Sequence, residues 1–248
     1  VLSLGRNLFS GDIPASLGAL SQLESLNLSN NNLTGKVPDE LMMQLSNLTS
    51  LNLSNNKFSG EIINVGELKS LQVLNLSNCG FSGSVPASIG GLMKLETLDL
   101  SKQKLSGELP VQIFGLPNLQ LVAVQENHLS GDVPQGFSSL ISLNYLNLSY
   151  NAFTGDIPTT YGFLNSLVVL SLSGNRISGT IPQELGDSLN LRVLELRSNQ
   201  LGGKIPGDIS RLSNLKELNL GHNKLTGEIP KEISNCSSLN SLLLSGNR

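Results

Sequence analysis

The chain has 248 residues and a formal net charge of -3, which admits one large domain or a linear array and draws neither nucleic acid nor an anionic membrane by bulk charge. Aromatic residues make up 4% of it with no Trp, so any core is aliphatic, and no apolar run approaches the roughly 18 residues that span a bilayer. Val1 already lies inside a repeated pattern, so no leader peptide is expected at this start and the chain reads as mature or excised material.

Taken in chain order, an L-x-L core followed by a fixed Asn recurs from one end to the other. Aligned on that Asn, the copies fall at Asn7, Asn31, Asn56, Cys79, Gln103, Asn127, Asn151, Asn175, Asn199, Asn223 and Asn247. The intervals are 24, 25 and 23 residues and then 24 seven times. This is the leucine-rich-repeat period and pattern, L-x-x-L-x-L-x-x-N-x-L. Each L-x-L predicts a short strand with both Leu on one face and the intervening residue outward. Neighbouring copies cover one another's leucines, so residues 1–248 are expected to form a single array of about ten full repeats. The fixed Asn is expected to be buried, its amide serving loop backbone groups that would otherwise lack partners. Gln103 can do the same with a longer arm, whereas Cys79 can do it only weakly.

After each Asn comes a second constant block, from FSGDIP at Phe9–Pro14 and LTGKVP at Leu33–Pro38 to LTGEIP near the end. Its Gly suits a backbone turn and its Pro fixes φ at the start of the next segment. Beyond the Pro, apolar residues at three-residue steps, such as Tyr161, Leu164, Leu167 and Leu170, predict short 3₁₀ turns. One repeat is irregular, with an extra residue in Met42–Leu45, one fewer in Ile63–Leu71, and Ile63 where the Pro should be; a local bend or twist is expected there. Cys79 and Cys236 lie 157 positions apart, which in a stacked array is too far for a disulfide. Cys236 falls on an inward step between Ile233 and Leu239 and reads as a small buried hydrophobe.

The block L-x-x-L-x-L-x-x-N-x-L-[ST]-G-x-[IV]-P over essentially the whole chain resembles the plant-specific leucine-rich repeat. The sequence looks like the extracellular domain of a plant leucine-rich-repeat receptor kinase or receptor-like protein, with LSKQKLSGELPVQIFGLPNLQ and YGFLNSLVVLSLS most similar to the MUSTACHES-like kinases. The resemblance implies an α/β repeat solenoid. It would be a right-handed superhelix with one long parallel inner sheet, a short second sheet on one flank and 3₁₀ turns on the convex side. It also implies a secreted peptide or small hormone such as a steroid as ligand, a co-receptor kinase ectodomain as partner, and a place at the outer face of the plasma membrane. The family's paired-cysteine caps, membrane span and kinase are not in this sequence, so membrane attachment would come only through downstream segments.

The outward residues around each L-x-L are where a binding site is expected. Early repeats offer small polar residues, Ser25, Asn27 and Ser29, then Ser50, Asn52 and Ser54, then Asn75 and Ser77. From Asp99 and Lys102 onward the chemistry diversifies, through Leu121, Gln125, Glu126, Tyr145, Tyr150, Val169, Ser171, Val193, Glu195, Arg197, Glu217, Asn219 and His222. Leu121, Tyr145, Val169 and Val193 share one column, an exposed apolar row beside charges of the kind interaction surfaces carry. The candidate binding residues are therefore Asp99, Leu121, Gln125, Tyr145, Tyr150, Val169, Glu195, Arg197 and His222, with Tyr145 the best anchor. His222 beside Glu195, Arg197 and Glu217 could titrate in an acidic cell wall.

Seven N-x-[ST] sequons, at Asn27, Asn32, Asn47, Asn52, Asn75, Asn147 and Asn235, fit a secretory route, although N-L-S arises almost automatically from the repeat. Sugar on Asn27, Asn52 and Asn75 would shield the early repeats. No G-x-S-x-G, H-E-x-x-H, P-loop or kinase signature occurs, so neither catalysis, a metal nor a cofactor is expected. Two other readings stay open: a soluble inhibitor of a cell-wall-degrading enzyme of the polygalacturonase-inhibitor kind, and an ice-binding solenoid. The second expects a row of matching polar residues on the flank, where this chain varies.

Overall fold

Every predicted strand forms, and none is longer than three residues because the chain must turn once per repeat. The computed structural model describes residues 1–62 and 65–248. Their contacts divide the chain into two compact units, Val1–Leu129 and Ser130–Arg248. The expected irregularity at Ile63 falls outside the described residues.

In Val1–Leu129 the strands Leu2–Ser3, Ser25–Asn27, Ser50–Asn52, Val73–Asn75, Thr97–Asp99 and Leu121–Ala123 pair in parallel. The register stacks Leu26, Leu51, Leu74, Leu98 and Val122 in one file, all fully buried. Burying a Leu or Val side chain contributes about 1.5–3 kcal/mol, so the file is a main source of stability. A shorter flanking set also forms, Ser10–Asp12 with Asn32–Thr34, and Ser82–Gly83, Lys104–Gly107 and His128–Leu129 side by side.

The asparagine ladder closes each repeat onto the one before. Asn56 Nδ2 donates to Leu53 O of its own repeat and Leu28 O of the preceding one, both at 2.9 Å, while Leu33 N donates to its Oδ1 at 3.0 Å. Gln103 fills the same place with its longer arm, as its length predicts. Its Oε1 accepts from Cys79, Gly80 and Phe81 N at 3.2, 2.7 and 2.9 Å, and its Nε2 donates to Leu76 O. The Cys79 thiol supplies one weak donor, to Leu53 O at 3.1 Å.

Segments after the fixed Pro become 3₁₀ turns, Ala15–Ala19, Ala87–Gly91 and Val111–Gly115, each entered from an extended Pro. The repeat with the extra residue differs: Asp39–Gln44 is an α-helix, because the added residue lets the i→i−4 bond from Leu45 N to Leu41 O close the last turn.

Ser130–Arg248 repeats the plan. Tyr145–Asn147, Val169–Ser171, Val193–Glu195, Glu217–Asn219 and Ser241–Leu243 pair in parallel, stacking Leu146, Leu170, Leu194, Leu218 and Leu242. The turns Gln135–Ser139, Thr159–Phe163, Gln183–Asp187, Gly207–Arg211 and Lys231–Asn235 are again 3₁₀. Tyr161 is fully buried among them, its hydroxyl donating to Pro134 O at 2.9 Å. Cys236 is buried as expected, and both thiols are free.

Candidate ligand-binding face

The outward strand positions make the face, and the structure corrects which of them reach solvent. Ser29 and Ser54 are buried, as are Ser171 and Asn219. Ser29 is drawn in by its own repeat: its backbone N and its hydroxyl both donate to Asn27 Oδ1, at 3.0 and 2.7 Å. Ser54 bonds Asn52 and Ser77 bonds Asn75 in the same way. Ser171 and Asn219 flank Glu195 in register: Ser171 Oγ lies 2.6 Å from Ser149 Oγ of the preceding repeat, and Asn219 hydrogen-bonds the Glu195 side chain.

In Val1–Leu129 the face begins as an amide row, Asn27, Asn52 and Asn75 in register, ending in Asp99 and Ala123. Asp99 copies the asparagine geometry, accepting from Ser101 N at 3.0 Å and Ser101 Oγ at 2.6 Å. Leu121 is half-buried beside Thr97 in the neighbouring column. Gln125 lies just beyond the strand, with a buried Oε1 that has no hydrogen-bond partner among the described residues. Unmade hydrogen bonds of buried groups cost about 1–3 kcal/mol, so this oxygen is a local source of instability.

In Ser130–Arg248, Tyr145, Val169 and Val193 lie directly opposite one another on consecutive strands, followed by Glu217. All are half-buried, their side chains standing on the sheet with one side open. Tyr145 leans along its strand, and its hydroxyl accepts from Asn147 Nδ2 at 3.2 Å. In the next column Glu195 accepts from Ser173 Oγ at 3.4 Å. Burial pushes the Glu195 carboxyl above the usual carboxylate range, and the hydrogen-bonded, like-charged Glu217 pushes it further. Of the cluster the sequence groups around His222, the structure brings Glu195 and Glu217 into hydrogen-bond contact. Arg197 is exposed and forms no ion pair among the described residues.

Tyr150 and His222 occupy a third column, at the strand exit, where the backbone is left-handed. Their φ values are 53° and 54°, and Lys102 and Glu126 share that conformation in the first unit at 57° each. The conformation turns side chains outward: Tyr150 is 58% exposed. Its ring lies over Gly174 of the next repeat, where an added Cβ would sit 2.6 Å from Cδ1. Lys102 and Glu126 meet in the same column at 3.6 Å. Sequence reading missed both this conformation and the inward serines; the signal available was the N-x-S spacing, which places a hydroxyl two residues after an amide.

Short parallel strands closed by a buried amide ladder, with outward side chains that change from repeat to repeat, define a repeat protein built to present a surface. Leucine rich repeat models match residues 1–60, 117–177 and 189–248, with a second such model at 70–92 and 94–116. The chain belongs to the leucine-rich-repeat family. Comparison with curated proteins returns no match. Among solved structures it is similar to a TDR receptor, at 34% identity and a TM-score of 0.97 over 99% of this chain and 43% of that one. It is also similar to the Arabidopsis receptor kinase HAESA, solved with the peptide hormone IDA and the co-receptor SERK1, at 36% identity and a TM-score of 0.91 over 99% of this chain and 41% of that one. A plant ice-binding protein matches at 27% identity and a TM-score of 0.81 over 99% of this chain and 81% of that one. The chain thus spans less than half the length of the two receptors.

Proposed function

We propose that the chain is part of the extracellular sensing domain of a plant membrane receptor kinase. In this reading it binds a secreted peptide or small hormone on the strand face, and a co-receptor ectodomain engages the complex. It binds and does not catalyse. The observation that carries the reading is the apolar row Tyr145, Val169 and Val193 in register, bordered by Arg197, without an ion-pair partner among the described residues, and by the Glu195–Glu217 carboxyls. A half-buried aromatic with a polar tip beside aliphatic neighbours and unpaired charge is what interface anchors are made of. The likeness to HAESA, whose structure holds a peptide hormone and a co-receptor, supports it.

The test is binding of candidate secreted peptides, alone and with a SERK1-type ectodomain, to the wild-type chain and to Tyr145→Ala, with Gln183→Ala as a folding control away from the face. Loss of about tenfold or more in affinity for Tyr145→Ala alone is expected of an anchor. Unchanged affinity in a folded Tyr145→Ala protein overturns the placement.

A second reading, ice binding, is favoured by the ice-binding relative and by the repeated Asn27, Asn52 and Asn75 amides at strand spacing. Thermal hysteresis of the purified chain in a freezing assay separates the two.

A further inference from the structure

The seven sequons are equal in sequence but not in structure. Asn27, Asn52 and Asn75 stand opposite one another on adjacent strands, about 4.8 Å apart, each amide oxygen already bonded to the sequon's own serine. Pyranose rings on all three rows would overlap. Asn147 is committed on both sides, its Nδ2 to Tyr145 and its Oδ1 to Ser149 N.

Asn47 is placed differently. It is exposed just before the strand Ser50–Asn52 and lines an open polar groove of about 320 Å³ with Gln22, Glu24, Ser70, Gln72 and Lys94. That volume is at the small end of small-molecule sites, about 300–1,000 Å³, and amides, a carboxylate, hydroxyls and an ammonium are the groups that hydrogen-bond sugar hydroxyls. Asn47 Nδ2 donates to Ser21 O at 3.0 Å. An amide nitrogen that carries a sugar keeps one N–H, so a glycosylated Asn47 still has one hydrogen to donate. Asn118, Asn190 and Asn214 occupy the same place in later repeats and donate in the same way, to Met93, Asn165 and Leu189 O. Among these four, Asn47 alone has a hydroxyl two residues on, Thr49.

We propose that Asn47 carries an N-linked glycan whose first sugars lie in this groove, leaving the amide row Asn27, Asn52 and Asn75 bare. The proposal rests on the extracellular reading above. In the transfer, Asn47 Nδ2 forms a bond to the anomeric carbon of a lipid-diphosphate-linked oligosaccharide. The bond from that carbon to the diphosphate oxygen breaks, one Nδ2 proton is lost, and the lipid diphosphate leaves. Attachment at this edge keeps the strand face open and crowds the flank beside it.

The chain secreted from plant cells behind an added leader, digested and mapped by glycopeptide mass spectrometry, tests the site. Expected is sugar on Asn47 and none on Asn27, Asn52 or Asn75. Asn47 bare, or those three occupied, overturns it. Because the leader forces secretion, that failure would leave the extracellular reading standing. The seat is tested separately in an Asn32→Gln, Asn235→Gln background, trimmed to a single N-acetylglucosamine and compared with the same chain made unglycosylated in bacteria. A melting temperature about 2–4 °C higher for the sugar-bearing form is expected, and equal values overturn the seating.

Discussion

Asn147 Nδ2 donates to the Tyr145 hydroxyl at 3.2 Å, and Asn147 Oδ1 accepts from Ser149 N at 3.0 Å, so one amide ties the anchor's ring to the end of its own strand. The bond lies at a half-open surface where water competes for both partners. Asn147→Ala is therefore expected to cost no more than about 1 kcal/mol in urea unfolding. A loss above about 2 kcal/mol would mean that Asn147 supports the sheet itself.

Gln103 carries more. Its removal leaves buried Cys79 N, Phe81 N and Leu76 O without partners. Gln103→Ala is expected to lower stability by roughly 3–5 kcal/mol, because several buried groups at about 1–3 kcal/mol each are stranded together and only partly relax. The urea midpoint reads this directly, and a shift worth under 1 kcal/mol would remove the bridging role.

Gly174 has φ +68°, a left-handed conformation, with the Tyr150 ring over it. Gly174→Ala adds backbone strain and displaces the ring, an expected loss of about 1–2 kcal/mol. Tyr150→Ala in the same chain should recover only the part due to the ring, and a double-mutant cycle measures that part. Complete additivity of the two changes would show that ring and glycine do not interact.

Burial pushes the Cys79 thiol up to about 12 from an ordinary 9.0. A group raised in the folded state contributes stability that is fully present below its unfolded pKa and lost as pH rises toward the folded one. The chain should therefore lose stability from pH 9 upward, by up to about 1.4 kcal/mol per pH unit from this thiol. Cys79→Ser should flatten that limb of the melting curve. Alkylation of Cys79 at pH 8 within minutes in the native chain would contradict the burial.

Glu195 follows the same sign at acid pH. Burial first, then Glu217, raises its carboxyl above the ordinary 4.5, so its stabilising contribution is present below about that pH and lost as the group ionises. Glu195→Gln is expected to raise the melting temperature at pH 7 and to leave it nearly unchanged at pH 4.5. A fall at pH 7 would show that the ionised carboxylate is stabilising where it stands.

Much of this was legible in the residues themselves. The 24-residue spacing implies strand, turn and ladder because a Leu, an Asn, a Gly and a Pro each have one physical use at their place in the repeat. Burial of the aliphatic file, the compensating reach of Gln103 and the 3₁₀ turns all follow from side-chain length and periodicity. Even the α-helix at Asp39–Gln44 is signalled by one extra residue, though the count alone does not say which helix will form.

What only the tertiary structure decided is which outward-pointing residues stay outward. Period-two alternation sends Ser29 and Ser171 to the open side. Asn27 of the same repeat draws Ser29 in, whereas Ser171 is held under cover by the preceding repeat, its hydroxyl 2.6 Å from Ser149 Oγ. The pairing of Glu195 with Glu217 and the groove beside Asn47 have the same origin. Each joins residues about one repeat apart, so its energy is set by register between strands, which a sequence read one repeat at a time does not contain.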